Sequence, residues 1–252
     1  MAKPISLQLY SLRAESSKDF TGVLKSVAEI GYRGVEPAGF YDLSIAEFRN
    51  IVDDLGMVVS SSHGPWATLA NTSQVIETAG ILGLSSAGGG FGPDDFKDLS
   101  AIKRTADTVN EMVEILAKAD LTLFLHNHWW EFCEVEGRLA YDHFAELCTG
   151  VEFEIDTYWA ANFGANDPVE QVKKFRGRTT LLHIKDGPLE QGKAMVAVGQ
   201  GKMDIPAIID AADPDLLRWV IVELDACDTD MLTAVSDSHR YLTENGLAEG
   251  NG

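Results

Sequence analysis

The sequence predicts a single (β/α)8 barrel, and three observations predict it. Short apolar runs alternate with helix-spaced stretches along the whole chain. About eight such strand–helix units fit the length, which is the usual size of this barrel. No composition shift or long linker divides the 252 residues, so one domain, 1–252, is expected. Strand alternating with helix gives a parallel sheet covered by helices. A doubly wound open sheet is the alternative, but no GxGxxG follows a strand to support it. The "AGGGFG" run at 87–92 lacks the GK[ST] ending of a phosphate loop. It reads as a tight strand-to-helix loop that lets backbone approach the site, with a phosphate cradle as its alternative.

Taken in order, the strands are expected near 5–9, 34–36, 57–62, 84–88, 121–128, 151–156, 180–185 and 219–225. After the first, "DFTGVLKSVAEIG" sets Phe20, Val23, Leu24, Val27 and Ile30 on one stripe and stops at a glycine. After the second, "SIAEFRNIVDDLG" opens with Ser44 three residues before Glu47, a capping-box pattern, and also stops at glycine. The longest helical stretch covers about 99–119. In "DPVEQVKKFRGR", Asp167 precedes Pro168 as N-cap and first-turn pair. "DIPAIIDAA" and "DMLTAVSDSHRYLTENG" supply the last two helices.

Composition narrows the partners. Hydrophobic residues make up 45% of the chain, ample for a large core. The formal charge is −19, from 39 acidic and 20 basic residues. A surface so acidic repels phosphate backbones and anionic lipid, so neither nucleic acid nor membrane is expected as a partner. A small anion is not barred, because a pocket can be locally positive. The three cysteines, Cys133, Cys148 and Cys227, form no CxxC pair and suit a reducing compartment. No apolar targeting segment or run of 18 apolar residues is visible, so a cytoplasmic location is expected.

In a barrel of this kind function gathers at the C-terminal ends of the strands. The third strand, "VVSSSHGPW", delivers His63 there. In "LFLHNHWWEF", alternate residues share a face, so Phe124, His126 and His128 point one way. In "VEFEIDTYW", Val151, Phe153 and Ile155 face the helices, and Glu152, Glu154 and Asp156 face the axis. The seventh strand brings His183 and Lys185, the eighth Glu223 and Asp225. The remaining histidines, His143 and His239, fall in predicted helices as surface residues. Singly, each has a structural explanation: a satisfied core histidine, or an internal Glu154–Lys185 ion pair. Together they call for neutralisation, since a buried charge costs several kcal/mol unless paired or bound to metal. One divalent cation is the simplest neutraliser, and mixed imidazole and carboxylate ligands suit Mn²⁺, Mg²⁺, Co²⁺ or Zn²⁺.

At these residues the sequence resembles the sugar phosphate isomerase/epimerase family of xylose isomerase-like TIM barrels. The pieces are "ISLQLYSLR", "GYRGVEPAGFY", "SSHGPW", "LHNHWWEF", "FEIDTYW", "LLHIKDG", "VGQGKMDIPAII" and "VELD", in order along nearly the whole chain. The resemblance implies a divalent metal above the strand ends, with Asp156, His183 and Glu223 matching its ligands. Glu36, His63 and Lys185 match positions that line the substrate pocket. Keto-sugar epimerases of this group carry a glutamate on the fifth strand, where this chain has His126. Three residues after the sixth-strand aspartate they carry a histidine, where this chain has Trp159. His126 is therefore read as a neutral metal ligand or as the base. Glu131 lies near enough in sequence to reach back as acid/base, and His128 is expected to touch substrate.

The chemistry this implies is metal-assisted proton transfer through an enediolate on a keto or aldo sugar. Glu223 would be ligand and base, Glu131 or His126 its partner, and Lys185 and His63 hydrogen-bond donors to developing oxyanion charge. An enediolate can also expel a β-leaving group, so a lyase on an oxidised sugar or glycoside is the nearest alternative. A non-catalytic sugar-binding barrel is the alternative from another class. A fainter resemblance runs to endonuclease IV-type enzymes, which need more histidines than this chain has and meet the same acidic surface. Trp66, Trp129, Trp130, Trp159 and Phe40 fall in strand-end loops, where they stack on a sugar or pack the loops together; Trp66 and Trp159 are the ones expected at the substrate. The sparse cations near the mouth, Arg13, Lys185, Lys193 and Lys202, favour a neutral or singly charged sugar. The segment "AMVAVGQGKMD" reads as a lid or a subunit contact, which leaves a homo-oligomer open.

Overall fold

A computed structural model describes residues 2–251. Eight parallel strands build the barrel path of the sheet: β1 (Lys3–Gln8), β2 (Gly34–Glu36), β3 (Val58–Val59), β4 (Ser86–Gly89), β5 (Thr122–His126), β6 (Glu152–Asp156), β7 (Thr179–Ile184) and β8 (Trp219–Val222). A short strand at Ala248–Glu249 pairs with β1 off that path. They pair in the order β3-β2-β1-β8-β7-β6-β5-β4. The helices that follow them are α1 (Arg13–Ile30), α2 (Ile45–Asp54), α3 (Thr72–Leu82), α4 (Leu99–Ala117), α5 (Ala140–Leu147), α6 (Pro168–Phe175), α7 (Ile205–Ala211) and α8 (Met231–Glu244). The (β/α)8 expectation holds.

No ladder joins the end strands β3 and β4, and the chain beyond β3 does that work. Ser60 N–H donates to Val35 O (3.0 Å), His63 N–H to Pro37 O (2.9 Å), and Ala67 N–H to Gly88 O (2.8 Å). A Cβ at Gly88 would lie 2.6 Å from Ser62 O and 2.7 Å from the Phe124 ring. Ala87–Gly89 of the 87–92 run close strand β4, at a seam where backbones nearly touch. Gly90–Gly92 then form the strand-to-helix loop that the composition suggests, with Gly90 against the Trp66 ring.

Local signals account for the helix ends. Asp19 breaks α1 (φ −154°) and accepts from Gly22 N–H at 2.8 Å, so the regular helix begins at Phe20, as the apolar stripe predicts. Gly31 ends it at φ +105°, a conformation glycine adopts without steric cost. The Ser44–Glu47 capping box is present. Asp98, Asp167, Asp204 and Asp230 cap α4, α6, α7 and α8 through their side chains. The apolar period gives little warning of α3, which has no side-chain cap and carries Gly80, or of α5, only 8 residues long. A hairpin of Glu134–Val135 and Arg138–Leu139 also goes unannounced. His239 is not a surface residue: it is half-buried against Tyr32, ring centroids 5.0 Å apart, and burial lowers its pKa. His143 is also half-buried, with a ring nitrogen 3.0 Å from Val135 O. None of the described helices is long and apolar enough to cross a membrane.

Successive inward residues climb the barrel axis two at a time. Phe124, Leu181 and Ile221 form an apolar floor. One step up on β5 and β7 come His126 and His183, and β8 carries on to Glu223. Register sets Glu154 opposite His126 and Asp156 opposite His183. Outward residues of β6, such as Phe153, pack on Tyr141 and Phe175 of the helical layer.

Candidate functional site

Above the apolar floor lies a buried polar layer, with His63 half-buried at its edge. Glu154 Oε2 is 2.5 Å from His63 Nε2 and 3.1 Å from His126 Nδ1. Its Oε1 is 3.3 Å from His183 Nε2, which also sits 2.8 Å from Glu36 Oε2. Gln8 Nε2 donates to the same Glu36 oxygen at 2.6 Å. Burial opposes ionisation of Glu154, but the His183 and His63 rings outweigh it and hold its pKa well below the ordinary value. Glu36 goes the other way, raised by burial and by the charge of Glu154.

The next layer opens to the mouth. His183 Nδ1 is 2.9 Å from Glu223 Oε2, and His126 Nε2 is 4.0 Å from Asp156 Oδ2. Lys185 Nζ lies 2.9 Å from Asp156 Oδ2, 2.8 Å from Glu223 Oε2 and 2.6 Å from Asp225 Oδ2. Burial alone would discharge Lys185, but these three carboxylates raise its pKa well above the usual value. Glu223 is held well below the carboxylate range, since Lys185 and His183 overcome its burial. Asp156 is pushed up to about 6 by burial.

A cavity of about 280 Å³ opens over this layer, lined by His63, Trp66, His126, His128, Lys185, Glu223, Asp225 and Tyr10. His128 is pushed down to about 4, by burial and then by the Lys185 charge, and is neutral at pH 7. Trp66 packs on His63, centroids 4.2 Å apart, and Trp130 stacks on His128 at 4.3 Å.

Of the residues picked from the sequence, His126, Asp156, His183, Glu223 and Lys185 converge at one place, and His63, His128 and Trp66 line the cavity. Three sit elsewhere. Glu36 is wholly buried in the layer below the pocket. Trp159 packs on Tyr158 and Phe163, with Lys185 Nζ 5.2 Å from its ring centre. Glu131 is 1% exposed and turned into the fold, where its Oε2 accepts from His128 N–H at 3.0 Å; burial pushes its pKa up to about 8. Phe40 packs on Phe48. Arg13 donates to Tyr10 O and Asp225 O, so its guanidinium holds the mouth together.

Sequence reasoning missed Tyr10, just past the end of β1, and Asp186. The Asp186 carboxylate is buried and accepts from the N–H groups of Gly187, Gly199, Gly201 and Met203, all at 2.8–3.1 Å. It pins 187–203 to the barrel. Within that segment Met195, Ala197, Val198 and Met203 are buried, so "AMVAVGQGKMD" is packed into the fold. The signal was there: an acid directly after an inward strand, followed by "VGQG".

Fold and site together define a β/α barrel whose C-terminal mouth holds a carboxylate–imidazole–lysine cluster. Residues 24–244 match the family model of the xylose isomerase-like TIM barrel, and the chain belongs to that family. A sugar phosphate isomerase/epimerase from Parabacteroides distasonis ATCC 8503 is 26% identical, over 99% of this chain and 96% of that chain, with a TM-score of 0.81. A second such structure from the same organism is 24% identical over 98% and 100% of the two chains, TM-score 0.80. An L-ribulose 3-epimerase is 19% identical over 98% and 95%, TM-score 0.70, a likeness of fold alone. No curated protein sequence matches the chain.

Proposed function

We propose that this protein is a metal-dependent sugar isomerase or epimerase that moves a proton on the carbon beside a carbonyl. The observation that carries the reading is the meeting of His126, Asp156, His183 and Glu223, which offer donor atoms within 4.8 Å of one another under the cavity. They fit a divalent ion. Asp156 Oδ2 is buried, and among the described residues the Lys185 ammonium at 2.9 Å is its one close polar partner, so it has room for a further bond. Ions with bonds of about 2.1 Å set neighbouring donors about 3 Å apart, close to the 2.9 Å between His183 Nδ1 and Glu223 Oε2.

When bound, the ion supplies Lewis-acid polarisation of a carbonyl and its adjacent hydroxyl. Glu223, held ionised, takes the proton from the neighbouring carbon. Lys185, held charged, donates to the oxygen on which negative charge develops. With Glu131 facing away from the pocket and His126 facing Asp156, Glu223 itself, now protonated, returns the proton to the adjacent carbon, and neutral His128 contributes an N–H hydrogen bond to the sugar. Trp66 and Tyr10 flank the cavity and keep water from the enediolate. Among the described residues lining the cavity Lys185 is the one Lys or Arg, and three carboxylates already engage it, which suits an uncharged sugar better than a phosphorylated one.

Elemental analysis paired with incubation in D₂O against a panel of ketoses and aldoses tests this. Deuterium is expected at carbon in at least one sugar. It disappears with a chelator and falls at least about a hundredfold in Glu223→Gln, the scale of a lost acid/base group. The Lys185–Asp225 pair at the mouth also favours a second reading, in which Lys185 protonates a β-leaving group. Release of that group in step with sugar consumption distinguishes it. Sugar binding without exchange or release would leave only a sugar-binding barrel.

A further inference from the structure

His126 and His183 each face two sets of carboxylates, one on each ring nitrogen. Toward the mouth, His183 Nδ1 meets Glu223 and His126 Nε2 meets Asp156. Toward the floor, His183 Nε2 lies 2.8 Å from Glu36 and 3.3 Å from Glu154, while His126 Nδ1 lies 3.1 Å from Glu154. A neutral imidazole has one N–H and one lone pair. Whichever side takes the proton leaves the lone pair to the other.

We propose that Glu154 is a positioning residue that fixes the tautomers of both histidines. It holds the proton on His126 Nδ1 directly and, together with Glu36, on His183 Nε2, leaving His126 Nε2 and His183 Nδ1 free to ligate the ion. This rests on the metal reading above and assigns a role to a residue outside that ligand set. Glu154 is the hub of the deep layer, 0% exposed and in contact with three histidine rings. Its Oε2 takes hydrogen bonds from the His63 and His126 rings, and its Oε1 stands 3.3 Å from His183 Nε2. The His183 Nε2 hydrogen bond itself goes to Glu36 Oε2, an oxygen that also accepts from Gln8, and Glu154 flanks that contact. Outer carboxylates of this kind orient metal-binding imidazoles and raise their basicity.

The rival assignment is that Glu154 is itself a ligand, since His63, His126, Glu154 and His183 also bring donor atoms within 4.8 Å. Ions in both places at once would need His126 and His183 to give up their only N–H and bridge as imidazolates. One ion per chain is therefore expected.

Two measurements decide. In ¹⁵N-labelled wild type loaded with Zn²⁺, long-range ¹H–¹⁵N correlations should show protonated Nδ1 in His126 and protonated Nε2 in His183. The opposite tautomer in either ring overturns the assignment, and no variant is needed. In Co²⁺ titrations, wild type should bind one ion. Glu154→Gln, with unchanged circular dichroism, should bind about 10–100-fold more weakly and show an altered visible Co²⁺ spectrum. Unchanged affinity and spectrum in the folded variant overturn the role of Glu154 while the metal reading stands. Two ions in wild type, one of them lost in Glu154→Gln, make Glu154 a ligand and overturn it as well. Wild type that binds no ion takes down the proposed function along with it.

Discussion

Glu131 is the side chain whose surroundings differ most from what its sequence position suggests. Its neighbours in "HWWEF" are rich in imidazole and indole, which is what raises the expectation of acid/base work. In the fold it is buried, and its one clear service is to accept the His128 N–H. Its pKa of about 8, raised by desolvation, means that it carries a proton at neutral pH. The unfolded chain releases that proton near 4.5, so between about 4.5 and 8 the folded state holds a proton that the unfolded state has lost. The stability contributed by this group therefore falls as pH rises through that window and stays low above it. Glu131→Gln cannot ionise and escapes the loss. Each pH unit across the window is worth about 1.4 kcal/mol, or about 3–5 °C in Tm for a chain of this size. The Tm of the variant should gain on wild type between pH 5 and pH 9. Parallel Tm curves across that range would show that Glu131 does not titrate as its burial demands.

At the scale of the element, what could be read from the sequence followed strand periodicity. His126, Asp156, His183, Lys185 and Glu223 were legible because a strand fixes direction every second residue. Depth was not legible: Glu36 and Glu154 obey the same alternation as Asp156 but lie one layer lower, a matter of register between strands. Trp159 and Glu131 stand on single-turn helices just after the strands, Thr157–Ala160 and Trp130–Phe132, which are too short to show a period. The close approach at Gly88 was illegible for a related reason, because a contact between β4 and the chain after β3 leaves no local pattern. Gly88→Ala places a methyl 2.6 Å from Ser62 O, and backbone cannot yield as a side-chain tip can. It should cost about 1–3 kcal/mol, as overpacking does, read as a lower urea midpoint at constant m. Asp186→Asn tests the other long-range device. One amide oxygen cannot serve four backbone N–H donors, and each one left unsatisfied costs about 1–3 kcal/mol. Limited proteolysis should then cut within 187–203 before the barrel is lost, and cleavage rates equal to wild type would refute the pinning role.

The whole molecule combines a net charge of −19 with a mouth where residues from β5 to β8 gather carboxylates round one lysine. Like charges both across the surface and in the site destabilise the compact state. Two kinds of cation relieve this in different ways. Monovalent salt screens exposed charges within a Debye length of about 10 Å at 0.1 M and reaches buried ones much less. A divalent ion held by His126, Asp156, His183 and Glu223 would link β5, β7, the end of β6 and the segment after β8 in the folded state alone. Binding at a hundred times Kd then stabilises by about 2.7 kcal/mol, or about 5–11 °C in Tm. Mn²⁺ should raise Tm by that amount above an ionic-strength-matched NaCl control, and EDTA should reverse it. In His183→Ala the Mn²⁺ increment should vanish while the NaCl increment persists, because surface screening needs no imidazole. If Mn²⁺ and matched NaCl raise Tm equally in wild type, the acidic surface accounts for the whole effect and the four side chains hold no ion.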